Sequence, residues 1–269
     1  MAVHPTLFPP PQSTVGQEIV VANEIAFAAA ENQIAGLNPK TIRGRNSVVG
    51  TTEEDLWFNG GVLTWLQSAV QMDIVSSDAT DNGVTPNTGA QTLVIEYLDS
   101  SFVEQTQTYT LNGMTNVTTA ESMLRINYAY IATCGTYHGS NVGNITIRAT
   151  GGGAIQANIE AGKGETQKSH YTVPAGKNAK LIRLSVNVDS AQRAEVLAYR
   201  YENADDVTTP FTGAKRILHQ VPGIAGDTNE ILRAFENLPP KTDIWWAGTA
   251  GAGTTDIQID YDLAISDAA

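Results

Sequence analysis

The sequence is poor in the residues that most often carry chemistry. Its one cysteine, Cys134, excludes an intrachain disulfide. In the strand-rich setting Ile131-Ala132-Thr133-Cys134-Gly135, a lone thiol is expected to be an inert, buried small side chain. Charged residues make up only 16% of the chain, and basic ones are the scarcer kind: 16 Lys and Arg stand against 28 Asp and Glu, a net charge of −12. Each phosphate contact in a nucleic-acid complex needs a Lys or Arg to displace a counterion, so no nucleic-acid partner is expected.

Long apolar runs are also missing. None reaches the ~18 residues that suggest a membrane span, and the opening MAVHPTLFPPPQST lacks the basic region and apolar core of a secretory signal. No membrane partner is expected, and the protein is expected to be made and assembled in a cytoplasm. Asn116 and Asn144 match the glycosylation sequon, but without such a signal they read as strand-edge polar residues. The four histidines, His4, His138, His170 and His219, are far apart in sequence, and no H-E-x-x-H, G-x-S-x-G or phosphate-cradling glycine motif occurs. No catalytic residue, metal or cofactor is expected, and the chain is not expected to be an enzyme.

What is present is alternation. After the Pro174-Ala175-Gly176-Lys177 turn, Ile182, Leu184, Val186 and Val188 share one parity and Arg183, Ser185 and Asn187 the other, as in a half-buried strand. Similar runs are expected at 92–97, 103–111, 124–133, 144–150, 154–159, 194–201, 215–221, 226–235, 243–247 and 255–265. In the last, Ile257, Ile259, Tyr261, Leu263 and Ile265 oppose Asp256, Gln258, Asp260 and Asp262. That acidic row reads as a charged outer face that blocks stray sheet pairing rather than an acid-base site. Asp78 and Asp81 lie in a loop dense with turn formers, 76–89, that lacks the regular spacing of a calcium loop.

Close strand spacing, Gly- and Asn-rich turns and the lack of amphipathic crossover helices predict an all-β fold. The expected arrangement is two antiparallel, jelly-roll-like β-sandwich domains, 51–150 and 151–269, with Gly151-Gly152-Gly153 as the joint. Residues 1–50 are expected to form an irregular, partly helical N-terminal arm. Pro9-Pro10-Pro11 is expected to be extended there because three successive residues lack a backbone donor. Residues 17–35 fit either a short helix or an extended segment, alanine content favouring the helix. Arg43-Gly44-Arg45 reads as an exposed basic loop suited to an acidic neighbour. Glu53–Trp57, Gly60-Gly61 and Val62–Leu66 read as a turn entering a strand, anchored by Trp57 and Trp65. Adjacent strand residues face opposite ways, so Trp245 and Trp246 do not share one flat platform. Arg43, Arg45, Trp57, Trp65, Trp245 and Trp246 are the candidate assembly contacts.

The ordered set Glu54-Asp55-Leu56-Trp57 with Gly60-Gly61, Gly89-Ala90, Leu98-Asp99, Tyr171-Thr172-Val173-Pro174-Ala175-Gly176-Lys177, Asp205-Asp206-Val207-Thr208-Thr209-Pro210-Phe211 and Asp243-Ile244-Trp245-Trp246 resembles a family of uncharacterised virion structural proteins of tailed bacteriophages. The resemblance covers most of the chain after about Gly44. It implies a β-sandwich component of the particle, either a capsid decoration or a head-fibre protein, without catalytic residues. Other virion proteins, major capsid or tail proteins, are the implied partners, and a homo-oligomer is expected, a trimer among the candidates. A tail-associated or receptor-binding protein is the alternative. A carbohydrate-binding module or carbohydrate-active enzyme, with Trp245-Trp246 or Tyr137-His138 stacking on sugar, is the rival from another class.

Overall fold

The computed structural model describes residues 36–189, 192–231 and 236–268. Among them the regular secondary structure is all β and antiparallel, with no helix. The chain enters through β1 (Leu37–Val49) and β2 (Glu54–Asp55), then crosses an irregular stretch to a second group of strands. These are β3 (Val70–Ser76), β4 (Ala90–Leu98), β5 (Glu104–Thr110), β6 (Val117–Met123), β7 (Arg125–Cys134), β8 (Ile145–Ala149) and β9 (Ile155–Ile159). It returns through β10 (Tyr171–Thr172), β11 (Lys177–Val188), β12 (Ala194–Tyr201), β13 (Arg216–Ile224), β14 (Gly226–Ile231), β15 (Asp243–Ala250) and β16 (Thr255–Asp267).

β3 to β9 form one sheet ordered β6-β3-β8-β9 and another ordered β5-β4-β7. Met72 and Ile74 of the first and Leu93 and Ile95 of the second meet in one apolar cluster. The remaining strands form sheets ordered β1-β16-β11-β14 and β10-β15-β12-β13, with β2 added to β15. Their common core brings Leu184, Ile259 and Tyr261 against Val196, Ile244 and Trp246. Each fully buried side chain of this kind contributes roughly 1.5–3 kcal/mol. The β3–β9 unit is therefore an insertion between β2 and β10 of the outer unit.

This topology changes the role of the residues before position 50. Leu37–Val49, expected within an irregular arm, is an edge strand paired with β16 from Leu37↔Ser266 to Val49↔Thr255. Ile42 and Val49 reach the core of the outer unit. Arg43-Gly44-Arg45 lies inside this strand and is not a loop. A Cβ on Gly44 would fall 2.5 Å from the Leu56 carbonyl oxygen and 2.6 Å from the Ser169 Cβ, so glycine serves close approach here and not a turn. The sequence missed β1 because its inward positions include Gly44 and Asn46 rather than an unbroken apolar parity.

Other expectations shift less. Val62–Leu66 is irregular, not strand. β3 and β6 were not foreseen, although Val70, Met72 and Ile74 of β3 alternate with Gln71 and Asp73. The strand expected at 226–235 is observed as Gly226–Ile231, and 232–235 lie outside the described residues, as does the 17–35 segment with its open choice of helix or extended chain. The triple glycine is a turn between β8 and β9 inside the inserted unit, not a joint.

The acidic face of β16 also has a different meaning. β16 lies between β1 and β11, so it is not an edge in need of protection. Its carboxylates meet the arginines of both neighbours: Arg45 grips Asp256 at 2.7 Å, Arg183 grips Asp262 at 2.6 Å, and Arg43 lies 3.9 Å from Asp260. The three carboxylates are not solvated alike either, since burial raises the Asp260 pKa above the usual carboxylate range.

Because β1 fills a core and an edge, two truncations are expected to behave differently. A chain lacking residues 1–35 keeps every described strand and folds. One lacking residues 1–50 exposes the β16 edge and the core around Ile42 and Val49, and is insoluble or loses its cooperative unfolding transition. Circular dichroism melts of the two products check this.

Candidate functional site at the seam of the two units

Two irregular connections join the units, one after β2 and one before β10, and the seam between the units is rich in buried polar side chains. Arg125 at the head of β7 and Asp243 at the head of β15 are both buried. Arg125 Nε donates to Asp243 Oδ1 at 3.0 Å and Nη2 to Oδ2 at 3.0 Å, a bidentate pair across the two units. Arg125 Nη1 donates to the Leu66 and Leu124 carbonyls at 2.7 and 3.0 Å, and the guanidinium lies 4.9 Å from the Trp65 ring centre. Thr172 Oγ1 donates to Asp243 Oδ1 at 2.5 Å. The Asn127 side-chain amide continues the seam as a strand would, donating to the Thr172 carbonyl and accepting from the Thr172 N–H, both at 2.9 Å.

Lys168 and His170 follow on the connection leading into β10, both buried. Lys168 Nζ donates to the Ile126 carbonyl at 3.1 Å. His170 Nε2 bonds Asp55 Oδ2 at 2.9 Å, and that carboxylate also accepts the Leu63 N–H at 2.8 Å. The imidazole is flanked edge-on by Trp57 and Trp65, with ring centres 5.9 and 5.4 Å away. Burial, reinforced by the Arg125 charge, pushes Lys168 down to about 7 against the opposing pull of Asp243 and Asp55. Burial also lowers His170, against its bond to Asp55. Burial thus favours the neutral ring, and the tautomer that satisfies the Asp55 carboxylate donates from Nε2, leaving the buried Nδ1 without a hydrogen-bond partner.

Above this buried layer opens a cleft of about 440 Å³, within the size range of small-ligand sites. Asp55, Arg125 and Asp243 form part of its lining, with Trp65, Trp245, Tyr201 and Leu66 as apolar wall. Trp245 packs on Trp65 and Tyr199 at 5.6 and 5.4 Å between ring centres. Val62, Val207 and Phe211 line the same cleft while 69%, 48% and 45% exposed, a concentration of apolar surface open to solvent. On the polar side, Glu53 accepts the Tyr199 hydroxyl at 2.5 Å and Lys215 Nζ at 2.8 Å, and that ammonium lies 3.6 Å from the Tyr199 ring centre. Asp206 fixes the loop it sits on by accepting the Thr208 and Thr212 N–H groups at 3.1 and 2.7 Å.

The candidate assembly contacts separate into three groups. Trp65 and Trp245 line the cleft. Trp57 and Trp246 are buried within the chain, at 3% and 0% exposure, and so present no surface to a neighbouring subunit. Arg43 and Arg45 do meet acidic groups, but within the same chain: Arg43 pairs with Glu165 at 3.2 Å and Arg45 with Glu160 at 3.5 Å, besides the β16 carboxylates. Those two pairs, with Lys40 and Glu96, tie β1 to the inserted unit. Tyr137 is 90% exposed and edge-on to His138, so these two rings do not form a shared flat platform.

Among the described residues no group of three or more His, Cys, Asp or Glu could hold a metal, and no helix is long and apolar enough to cross a membrane. Asp81, weighed as a calcium ligand, is fully buried and accepts the Ser76 hydroxyl and the Ala90, Val142 and Gly143 N–H groups at 2.6–2.9 Å, organising the loops at one end of the inserted unit. Cys134 is half-buried, with Sγ 3.2–3.5 Å from the carbonyls of Thr88, Gly89 and Ser140. Sequence reasoning did not single out Asp55, Arg125, Lys168, His170 or Asp243 as a site. The available signal was Asp243 leading Ile244-Trp245-Trp246-Ala247, a strand apolar at both parities and therefore buried on both faces.

No protein-family model matches the chain, nor does any curated protein. Among solved structures, the chain is similar to one from infectious bursal disease virus Gt strain, at 11% identity over 86% of this chain and 72% of that one, with a TM-score of 0.26. It is also similar to the infectious bursal disease virus VP2 subviral particle, at 10% identity over 86% and 77% of the two chains, with a TM-score of 0.22. Likenesses of this size establish neither family nor function.

Two outcomes test the seam. Asp243→Asn leaves the Arg125 charge buried without its counter-ion and should cost about 3–5 kcal/mol in urea unfolding, whereas Arg125→Met with Asp243→Leu should recover most of that loss. The second concerns pH. Lys168 has a folded pKa below its ordinary 10.5, so between about pH 7 and 10.5 the unfolded chain binds the extra proton. Stability therefore rises with pH across that window, by up to ~1.4 kcal/mol per unit for one proton. Urea unfolding between pH 7 and 9.5 should show the rise, and Lys168→Met should flatten it. That range stays below the pH at which tyrosines held protonated by burial, such as Tyr109 and Tyr199, bring the opposite slope.

Proposed function

We propose that the chain is a structural component of a tailed-bacteriophage particle. In this reading it is a capsid decoration or head-fibre protein built of two jelly-roll-like sandwiches and attached through its N-terminal arm. Major capsid or tail proteins are its partners, and it works as a homo-oligomer, a trimer among the candidates, without catalytic residue or cofactor. The observation that supports it best is the seam: an insertion held in a fixed orientation by buried charges, which suits a part that must keep its shape within an assembly. The family resemblance carried by the ordered motifs points the same way. A virion location follows from the same reading.

The aromatic cleft favours a second reading within the particle, a tail-associated or receptor-binding protein, and outside it a carbohydrate-binding module. Glycan-array binding that disappears in Trp245→Ala would support either of these over a purely structural role. For the main proposal, the test is removal of residues 1–35. Particles assembled with the shortened chain should lack it. Undiminished incorporation would reject attachment by the arm, and the absence of the full-length chain from purified particles would reject the virion reading itself.

A further inference from the structure

We infer that the cleft at the seam is the docking site for this chain's own Leu7-Phe8-Pro9-Pro10-Pro11 stretch. The inference rests on the arm assignment proposed above and names what the arm touches in the free protein.

Three observations on different parts of the molecule lead there. The first is the chemistry of the cleft. Trp65, Trp245, Tyr201 and Phe211 face an opening of about 440 Å³, and Phe211, Val207 and Val62 leave apolar surface uncovered at its mouth. Aromatic-lined grooves are the usual receptors of proline-rich segments, because a polyproline helix is already extended and loses little entropy on docking. Residues 7–11 are such a segment, with Leu7 and Phe8 as apolar anchors ahead of three prolines.

The second is charge. Glu53, Asp55, Asp206 and Asp243 line the cleft, and its two cations, Arg125 and Lys215, are already paired with Asp243 and Glu53. An acidic occupant would be repelled. Residues 1–17 contain no Asp or Glu, so this end of a strongly acidic chain is the part that enters without repulsion.

The third is reach. Gly36, where the description begins, lies beside the Asp267 carboxylate, which Lys177 binds at 2.5 Å. Ala268 N–H donates to the Gly176 carbonyl at 2.9 Å, and Ala175 packs in the same small cluster as Leu66 and Ala204, two residues of the cleft lining. The arm thus starts a few contacts from the site. Residues 12–35 separate the segment from Gly36, and a chain of that length reaches at most ~80 Å when fully extended, so the cleft is within range. Covalent linkage over such a range makes docking intramolecular, at an effective concentration up to about the millimolar range. The chain's own cleft therefore outcompetes that of a second copy at any lower protein concentration.

Photo-cross-linking from position 8 of the full chain tests this. With Phe8→p-benzoylphenylalanine, irradiation at micromolar protein should give a cross-linked monomer, and peptide mapping should place the bond on Trp65, Tyr201, Phe211 or Trp245. Cross-links elsewhere on the chain, only between copies, or none at all would overturn the assignment. As a second readout, Phe8→Ala in the full chain should speed amide exchange at 62–67 and 203–215 about tenfold or more, as expected when a tethered ligand of modest affinity is lost; unchanged exchange would count against docking. The outcomes separate from those of the proposed function. Cross-links that miss the cleft while removal of residues 1–35 blocks incorporation defeat docking alone. Cross-links that hit it while incorporation is undiminished defeat only attachment by the arm.

Discussion

The bidentate contact between Arg125 and Asp243 is the constraint on which the arrangement of this chain depends. It joins residues 118 positions apart, one from the inserted unit and one from the outer unit, where both side chains are largely buried at the floor of the cleft. A carboxylate and a guanidinium removed from solvent tolerate few geometries, because each loses hydration that only the other replaces. The pair therefore contributes orientation more than net stability. The Leu66 and Leu124 carbonyls, the Thr172 hydroxyl and the Trp65 face complete the bonding around the pair.

The cleft follows from the same contact. Asp243 heads β15, whose next outward side chain is Trp245, and Arg125 places its guanidinium beneath Trp65, so the ion pair forms part of the lining and the two rings form the wall. β1 is tied to the inserted unit through further pairs, in which Lys40, Arg43 and Arg45 meet Glu96, Glu165 and Glu160. Those outer pairs are partly exposed and individually weak. Their value is positional, since they fix the edge strand against the insertion.

Much of the sheet structure was legible in the sequence because alternation is a direct imprint of a half-buried strand. β12 was expected at its observed bounds, and the apolar parity of β16, Ile257 to Ile265, is buried along its length. Legibility failed in β1, whose inward positions include Gly44 and Asn46 and so show no apolar period of two. β3 does alternate, Val70, Met72 and Ile74 against Gln71 and Asp73, and was passed over as a short run before a turn-rich loop. The site was less legible still. Lys168 and His170 are ordinary surface residues by composition, and only the return of the chain into β10 buries them. That the acidic row of β16 is matched by arginines from β1 and β11 depends on register across more than 200 residues for Arg45 and 79 for Arg183, which local pattern does not contain.

The central claim is that buried charges at the seam make the two units one cooperative body. Differential scanning calorimetry of the full chain tests it most directly. A single transition whose calorimetric and van't Hoff enthalpies agree is the expected result. Two resolved transitions, with the inserted unit melting apart from the outer one, would contradict it.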